Sequence, residues 1–132
     1  MFTNDYIMRQ IENLANFLGK VIFQKETFKL EIFDNEWNFS GEGLLYLRLK
    51  KMVDEGEINE AENLLYYEID RQQPEKLMAV ALRFYNDLQQ LSDERLSECG
   101  FSRIEILEGL TELKQALGID DEEAATPLPE DQ

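Results

Sequence analysis

The chain has 132 residues, 43% of them hydrophobic, with 28 acidic residues against 13 basic ones and a formal net charge of −15. That is enough sequence for one domain with a true core and too little for two ordinary ones. The acidity leaves no basic footprint for nucleic acid, disfavours an anionic membrane surface, and favours a basic protein partner if there is one.

The N-terminal run MFTNDYIMRQIENL has an acid at position 5 and no basic n-region, so no secretory signal is expected. NLANFLG, between Glu12 and Lys20, is too short to span a bilayer. The single cysteine, Cys99, excludes an internal disulfide and fits a reducing compartment, so the expected location is cytoplasmic. Residues 5–24 predict a long helix: Ile7, Ile11, Leu14, Leu18 and Val21 fall at heptad spacing, and Tyr6, Met8, Ala15, Phe17 and Ile22 widen the apolar face. At about 100° per residue that face covers roughly 200° of the cylinder, twice the stripe of an ordinary surface helix. Such a helix is either central to the fold or shared with a second copy in a homodimer.

Residues 25–40, KETFKLEIFDNEWNFS, carry mixed signals. Phe28, Leu30 and Ile32 alternate as in a strand, while Phe28, Ile32 and Phe33 suit a short helix. A lone strand has no partner elsewhere in the chain, which favours a short helix and a loop clamped to the core by Trp37 and Phe39. Residues 44–69 then predict two amphipathic helices joined at Gly56, a hairpin on which the rest of the chain is expected to pack. Leu45, Leu49, Met52 and Val53 stripe the first helix; Ala61, Leu64, Leu65, Ile69 and Gln72 stripe the second. Gly56 suits a left-handed helix end, and Asn59 with Glu62 suits a capping box.

Gln73-Pro74 marks a break, with Pro74 at a first helical position. The stripe of the next helix is Leu77, Ala81, Phe84, Leu88 and Leu91. Ser92 caps a short turn that Gly100 ends, and Ser102 with Glu105 forms a second capping box beside a Phe101–Ile106 staple. Ile106, Leu110, Leu113 and Leu117 line the last helix before Gly118. Gly109 beside that stripe predicts a close helix crossing, since a mid-helix glycine otherwise costs about 1 kcal/mol against alanine. Six acids and two prolines make residues 120–132 a disordered tail, and the 22 acids left without it still outnumber the 13 bases.

Catalytic chemistry is hard to find. There is no histidine, which removes the commonest general base and the usual metal-binding helix motifs. Cys99, with Arg95 and Arg103 nearby, reads as an inert thiol, and Gly41-Glu42-Gly43 lacks the Lys-Ser/Thr of a phosphate loop. No catalytic, metal or cofactor residue is assigned, and no cofactor is expected. Glu68 falls within an apolar face and needs a partner; Arg48 and Arg83 are the candidates for a buried ion pair. Tyr46, Tyr66 and Tyr67 lie off their helices' main stripes, and either pack against neighbouring segments or form an aromatic partner-binding patch.

Gly56-Glu57-Ile58-Asn59-Glu60-Ala61, with Leu65 and Pro74 beyond, resembles the turn of one tetratricopeptide repeat. Leu49 and Glu68 depart from it, standing where that repeat has small residues. Ile58-Asn59-x-x-Glu62 and Phe101-Ser102-x-x-Glu105 echo each other in the order apolar, cap, acid, which hints at two helical hairpins. Asp5-Tyr6-Ile7-x-Arg9-x-Ile11-Glu12, Gly56-x-Ile58-Asn59-x-Ala61-Glu62-Asn63-Leu64-Leu65 and Phe101-Ser102-Arg103-x-Glu105-Ile106 before Gly109-Leu110 are similar to a family of small, acidic, uncharacterised proteins of low-GC Gram-positive bacteria. That resemblance spans most of residues 5–119 and implies a bacterial cytoplasmic helical protein without an assigned activity.

The expected fold is all-α, with about six helices: a long N-terminal helix and two antiparallel hairpins in tetratricopeptide-like stacking, forming one domain over 1–119. The expected function is non-catalytic protein–protein interaction. The alternatives are a self-associating structural protein, built on the N-terminal helix, and a small-molecule-binding regulator or carboxylate enzyme.

Overall fold

The computed structural model of the chain describes residues 4–24, 40–71 and 74–118. The expected short helix and aromatic clamp of 25–39 and the expected tail disorder of 120–132 lie outside the described residues. Six α-helices are present, and no strand among the described residues: α1 Asn4–Gln24, α2 Gly41–Asp54, α3 Ile58–Arg71, α4 Pro74–Gln89, α5 Asp93–Glu98 and α6 Arg103–Ala116. The fold is all-α, and no described helix is long and apolar enough to cross a membrane.

Serines set three helix starts. The side chains of Ser40, Ser92 and Ser102 accept from the N–H groups of Gly43 (2.9 Å), Arg95 (3.0 Å) and Glu105 (3.3 Å), each satisfying a donor that the first helical turn leaves open. The Ser102 hydroxyl also donates to the Glu105 carboxylate at 3.0 Å. Helices α2 and α5 end in the same way. Gly56 (φ 85°) donates to Val53 O and Glu57 to Met52 O; Gly100 (φ 71°) donates to Ser97 O and Phe101 to Leu96 O. Both are Schellman turns, in which a residue without Cβ takes the left-handed position. The turns repeat 44 residues apart, one off the 43-residue sequence echo, so the echoed Ile58-Asn59 and Phe101-Ser102 take different places in their turns.

One expected cap is replaced. Helix α3 begins at Ile58, so Asn59 lies inside it and does not cap it. The Asn59 amide instead donates to Gly100 O at 3.3 Å, and Arg95 donates to Asp54 O at 3.2 Å. The two Schellman turns are thus laced together, and Glu62, free of any capping role, reaches α4.

Helix α4, not the α2–α3 hairpin, is the centre of the fold. It packs against α1, α2, α3 and α6. Met78, Val80 and Leu82 flank the predicted Leu77–Ala81–Phe84–Leu88 stripe, and all seven are buried together with Tyr85. A helix apolar nearly all round is a central one. The hairpin has the clearer stop and start residues, but clear caps do not measure burial. Part of the wide face of α1 packs within the same chain: Ile7, Ile11, Leu18 and Ile22 are buried against α6 and α4, Met8, Leu14, Ala15, Phe17 and Val21 are half-buried, and Tyr6 is exposed.

Arg103 ties the α4–α5 connection to α6. Its buried guanidinium donates to Asp93 Oδ1 (2.9 Å), Gln89 O (3.0 Å), Gln89 Oε1 (3.3 Å) and Leu91 O (2.6 Å). One main-chain acceptor, Gln89 O, is a carbonyl that the end of α4 leaves open, and the other, Leu91 O, lies in the connection just beyond it.

Candidate interaction site

The three tyrosines singled out by the sequence occupy three different environments. Tyr46 belongs to the buried face of α2 with Gly43, Leu49 and Val53, because α2 is covered on two sides, by α3 and by α4. Its ring lies under the Arg83 guanidinium, 5.0 Å from carbon to ring centroid, and its hydroxyl donates to Asp87 Oδ2 at 2.6 Å. Arg83 also approaches Asp87 Oδ1 at 3.8 Å. Burial first, then the Asp87 carboxylate, pushes the Tyr46 phenol up to about 12.

Tyr66 enters a polar network between α3, α4 and α6. Tyr85, fully buried, donates to Glu62 Oε2 at 2.6 Å, and the Tyr66 and Tyr85 hydroxyls are 3.0 Å apart. A phenol has one proton to give: Tyr85 gives its own to Glu62, and the Tyr66 hydroxyl sits between Tyr85 and Glu112 of α6. Burial is the main cause that raises all three pKa values; Glu105, Glu112 and Glu108 add to it at Glu62. The Tyr85 ring lies directly over Gly109, where any Cβ would overlap it, so the close crossing predicted at Gly109 is between α4 and α6. This network is a piece of core architecture.

Tyr67 is 58% exposed, with the Arg71 guanidinium 5.4 Å from its ring centroid. Arg71 also pairs with Glu68 at 3.5 Å, one turn earlier on the same helix. The partners suggested for Glu68 are placed otherwise: Arg83 lies with Asp87 and Tyr46, and Arg48 is on the exposed side of α2.

The outward side of α2 holds what sequence reasoning missed. Leu44 and Leu47 are 53% and 37% exposed. They share a face with the exposed Arg48 and Lys51, at the i, i+3, i+4, i+7 spacing of one helical stripe. Leucines therefore stand on both sides of this helix. The signal was present in the unbroken run Gly43-Leu44-Leu45-Tyr46-Leu47, more apolar residues than one buried stripe consumes. Helices α2 and α3 are antiparallel across the tight 55–57 turn, so Tyr67 and Arg71, late in α3, lie at the same end of the hairpin as Leu44 and Leu47.

A cleft of about 290 Å³ opens on the other flank of α2, against α4, lined by Tyr46, Lys50, Val53, Asp54, Phe84 and Asp87 among others. Among the described residues no group of His, Cys, Asp or Glu is arranged to hold a metal ion.

A family model described as a family of unknown function, DUF6483, matches residues 1–118 of the 132. The chain belongs to the DUF6483 family. No curated protein and no solved structure matches it. The matched span takes in every described helix, so in this DUF6483 chain the laced turns, the Tyr85–Gly109 crossing and the α2 face all lie inside the family's own region.

Proposed function

We propose that this chain is a non-catalytic protein–protein interaction module that receives its partner on the outward face of α2. The observation that carries this reading is the exposure of Leu44 and Leu47, next to Arg48 and Lys51, on a helix whose other side already fills the core. Contiguous apolar groups edged by charge mark binding surfaces, and leucines are retained there at the expense of solubility. Tyr67 and Arg71 add an exposed aromatic and a cation at the same end of the hairpin, on α3. The tetratricopeptide-like turn, a bacterial cytoplasmic setting and the lack of any histidine fit the same reading. The net charge of −15 favours basic partners for the molecule as a whole, whereas this face, with Arg48 and Lys51 beside its leucines, favours an apolar segment edged with acids.

The test is a Leu44→Asp, Leu47→Asp double variant. Both side chains are exposed, so its helical circular dichroism and melting temperature should stay close to those of the parent chain. Affinity capture from the native cells should lose a partner that the parent chain retains. A folded double variant that retains every partner would refute the assignment of this face.

A further inference from the structure

The cleft between α2 and α4 has a chemistry of its own, independent of the leucine face. Its floor is apolar: Tyr46, Val53 and Phe84 are buried there, with Leu91 at one end. On the α2 wall Lys50 and Asp54 stand one turn apart, i and i+4, a separation of about 5–6 Å between Cβ atoms. Among the described residues neither the Lys50 ammonium nor the Asp54 carboxylate enters an ion pair or a side-chain hydrogen bond. Asp87 on the facing wall is different, since one oxygen accepts from Tyr46 and the other faces Arg83. The cleft therefore presents one unengaged cation and one unengaged carboxylate side by side above an apolar floor.

We propose that this cleft binds a free α-amino acid with an apolar side chain. The carboxylate of the ligand meets Lys50, its ammonium meets Asp54, and its side chain lies on Tyr46, Val53 and Phe84. The volume sets the size: about 290 Å³ is just under the roughly 300–1,000 Å³ of pockets that take drug-sized ligands, which excludes a nucleotide or a larger cofactor. The charges set the head group. A phosphate would meet a single lysine, and a diamine would have to share Asp87 with Tyr46 and Arg83. A purely apolar ligand would leave both exposed charges to water, and an ammonium or carboxylate alone would engage only one of them.

Isothermal titration and methyl-region NMR of the full chain test this with four probes: L-leucine, L-phenylalanine, 3-phenylpropionate and phenethylamine. L-Phenylalanine or L-leucine should saturate, with shifts at Val53 and Leu91. 3-Phenylpropionate lacks the ammonium and phenethylamine the carboxylate, so each should bind at least about tenfold more weakly than L-phenylalanine, the equivalent of about 1.4 kcal/mol. Lys50→Gln should erase the preference for L-phenylalanine over phenethylamine, and Asp54→Asn its preference over 3-phenylpropionate. Both positions are exposed, and unchanged circular dichroism confirms that these variants remain folded. Absence of saturable binding by either amino acid at about 10 mM overturns the proposal, as that is weaker than any specific site of this class requires. Equal binding of all three phenyl probes overturns it as well, by showing apolar contact without head-group recognition.

Discussion

Gly109 has no room for a side chain. A methyl group there would overlap the Tyr85 ring, which is itself held by Glu62 and Tyr66 and cannot swing away without breaking both bonds. Alanine gains about 1 kcal/mol in helix propensity but overpacks a filled crossing, so Gly109→Ala should lose about 2 kcal/mol net in urea unfolding. Glu62 gives a pH signature. Burial and the α6 carboxylates raise its pKa in the folded chain above the ordinary value of 4.5, so the folded state holds that proton more tightly than the unfolded one. Its contribution is fully present below the unfolded pKa and is lost as pH rises through the folded pKa. Glu62→Gln keeps an oxygen for Tyr85 and carries no charge. It should be at least as stable as the parent at pH 7, with any advantage shrinking as pH is lowered toward about 4.5. Loss of more than about 1 kcal/mol at pH 7 would show instead that the ionised carboxylate is the better acceptor. The crossing at Gly109 was legible because a mid-helix glycine needs a reason. Its partner was not legible, since a tyrosine 24 residues away is brought there by how α4 and α6 cross, which no local pattern encodes.

At the scale of elements, Gly56 ends α2, Ser92 and Gly100 bound α5, and Ser102 starts α6 much as their spacing predicts, because caps act within one turn and leave a local record. Longer-range uses of the same residue types are invisible locally. Asn59 has the side chain of a cap but bonds to the neighbouring turn, and Arg103, unremarkable among 13 bases, proves to be the buried clasp of the α4–α5 connection. Removing that clasp strands the Gln89 and Leu91 carbonyls, while the exposed Asp93 carboxylate keeps Asn4 and water. Arg103→Ala should therefore cost about 2–3 kcal/mol, as expected for charge-assisted bonds to partly buried acceptors. Hydrogen exchange should show the loss concentrated in α5 and the start of α6. Uniform acceleration over all helices would mean that Arg103 supports the whole core, not this junction. The double-sided apolar character of α2 was readable as an excess of leucines. Which leucines face outward was not, because that depends on α4 covering the Tyr46 side.

For the whole molecule, charge and core pull in opposite directions. A central α4 wrapped by α1, α2, α3 and α6 supplies continuous apolar burial, while 28 acids against 13 bases repel one another over the surface. Screening should relieve that repulsion, so the melting temperature should rise between about 20 mM and about 500 mM sodium chloride as the Debye length shrinks. The surface ion pairs that salt would weaken are mostly exposed and contribute little, so they should not reverse the trend. A melting temperature that falls with salt would place more stability in those pairs than their exposure allows. Against this acidic background the cationic, leucine-bearing face of α2 stands out as the surface least suited to remain bare, and it is there that the account places the partner. Photo-cross-linking in the native cells tests that placement most directly, with a benzophenone side chain at Leu47 and, as control, at the exposed Glu108 of α6. The account predicts one adduct of discrete mass from position 47 and none of that mass from position 108. No adduct from position 47, or the same adducts from both positions, would contradict it.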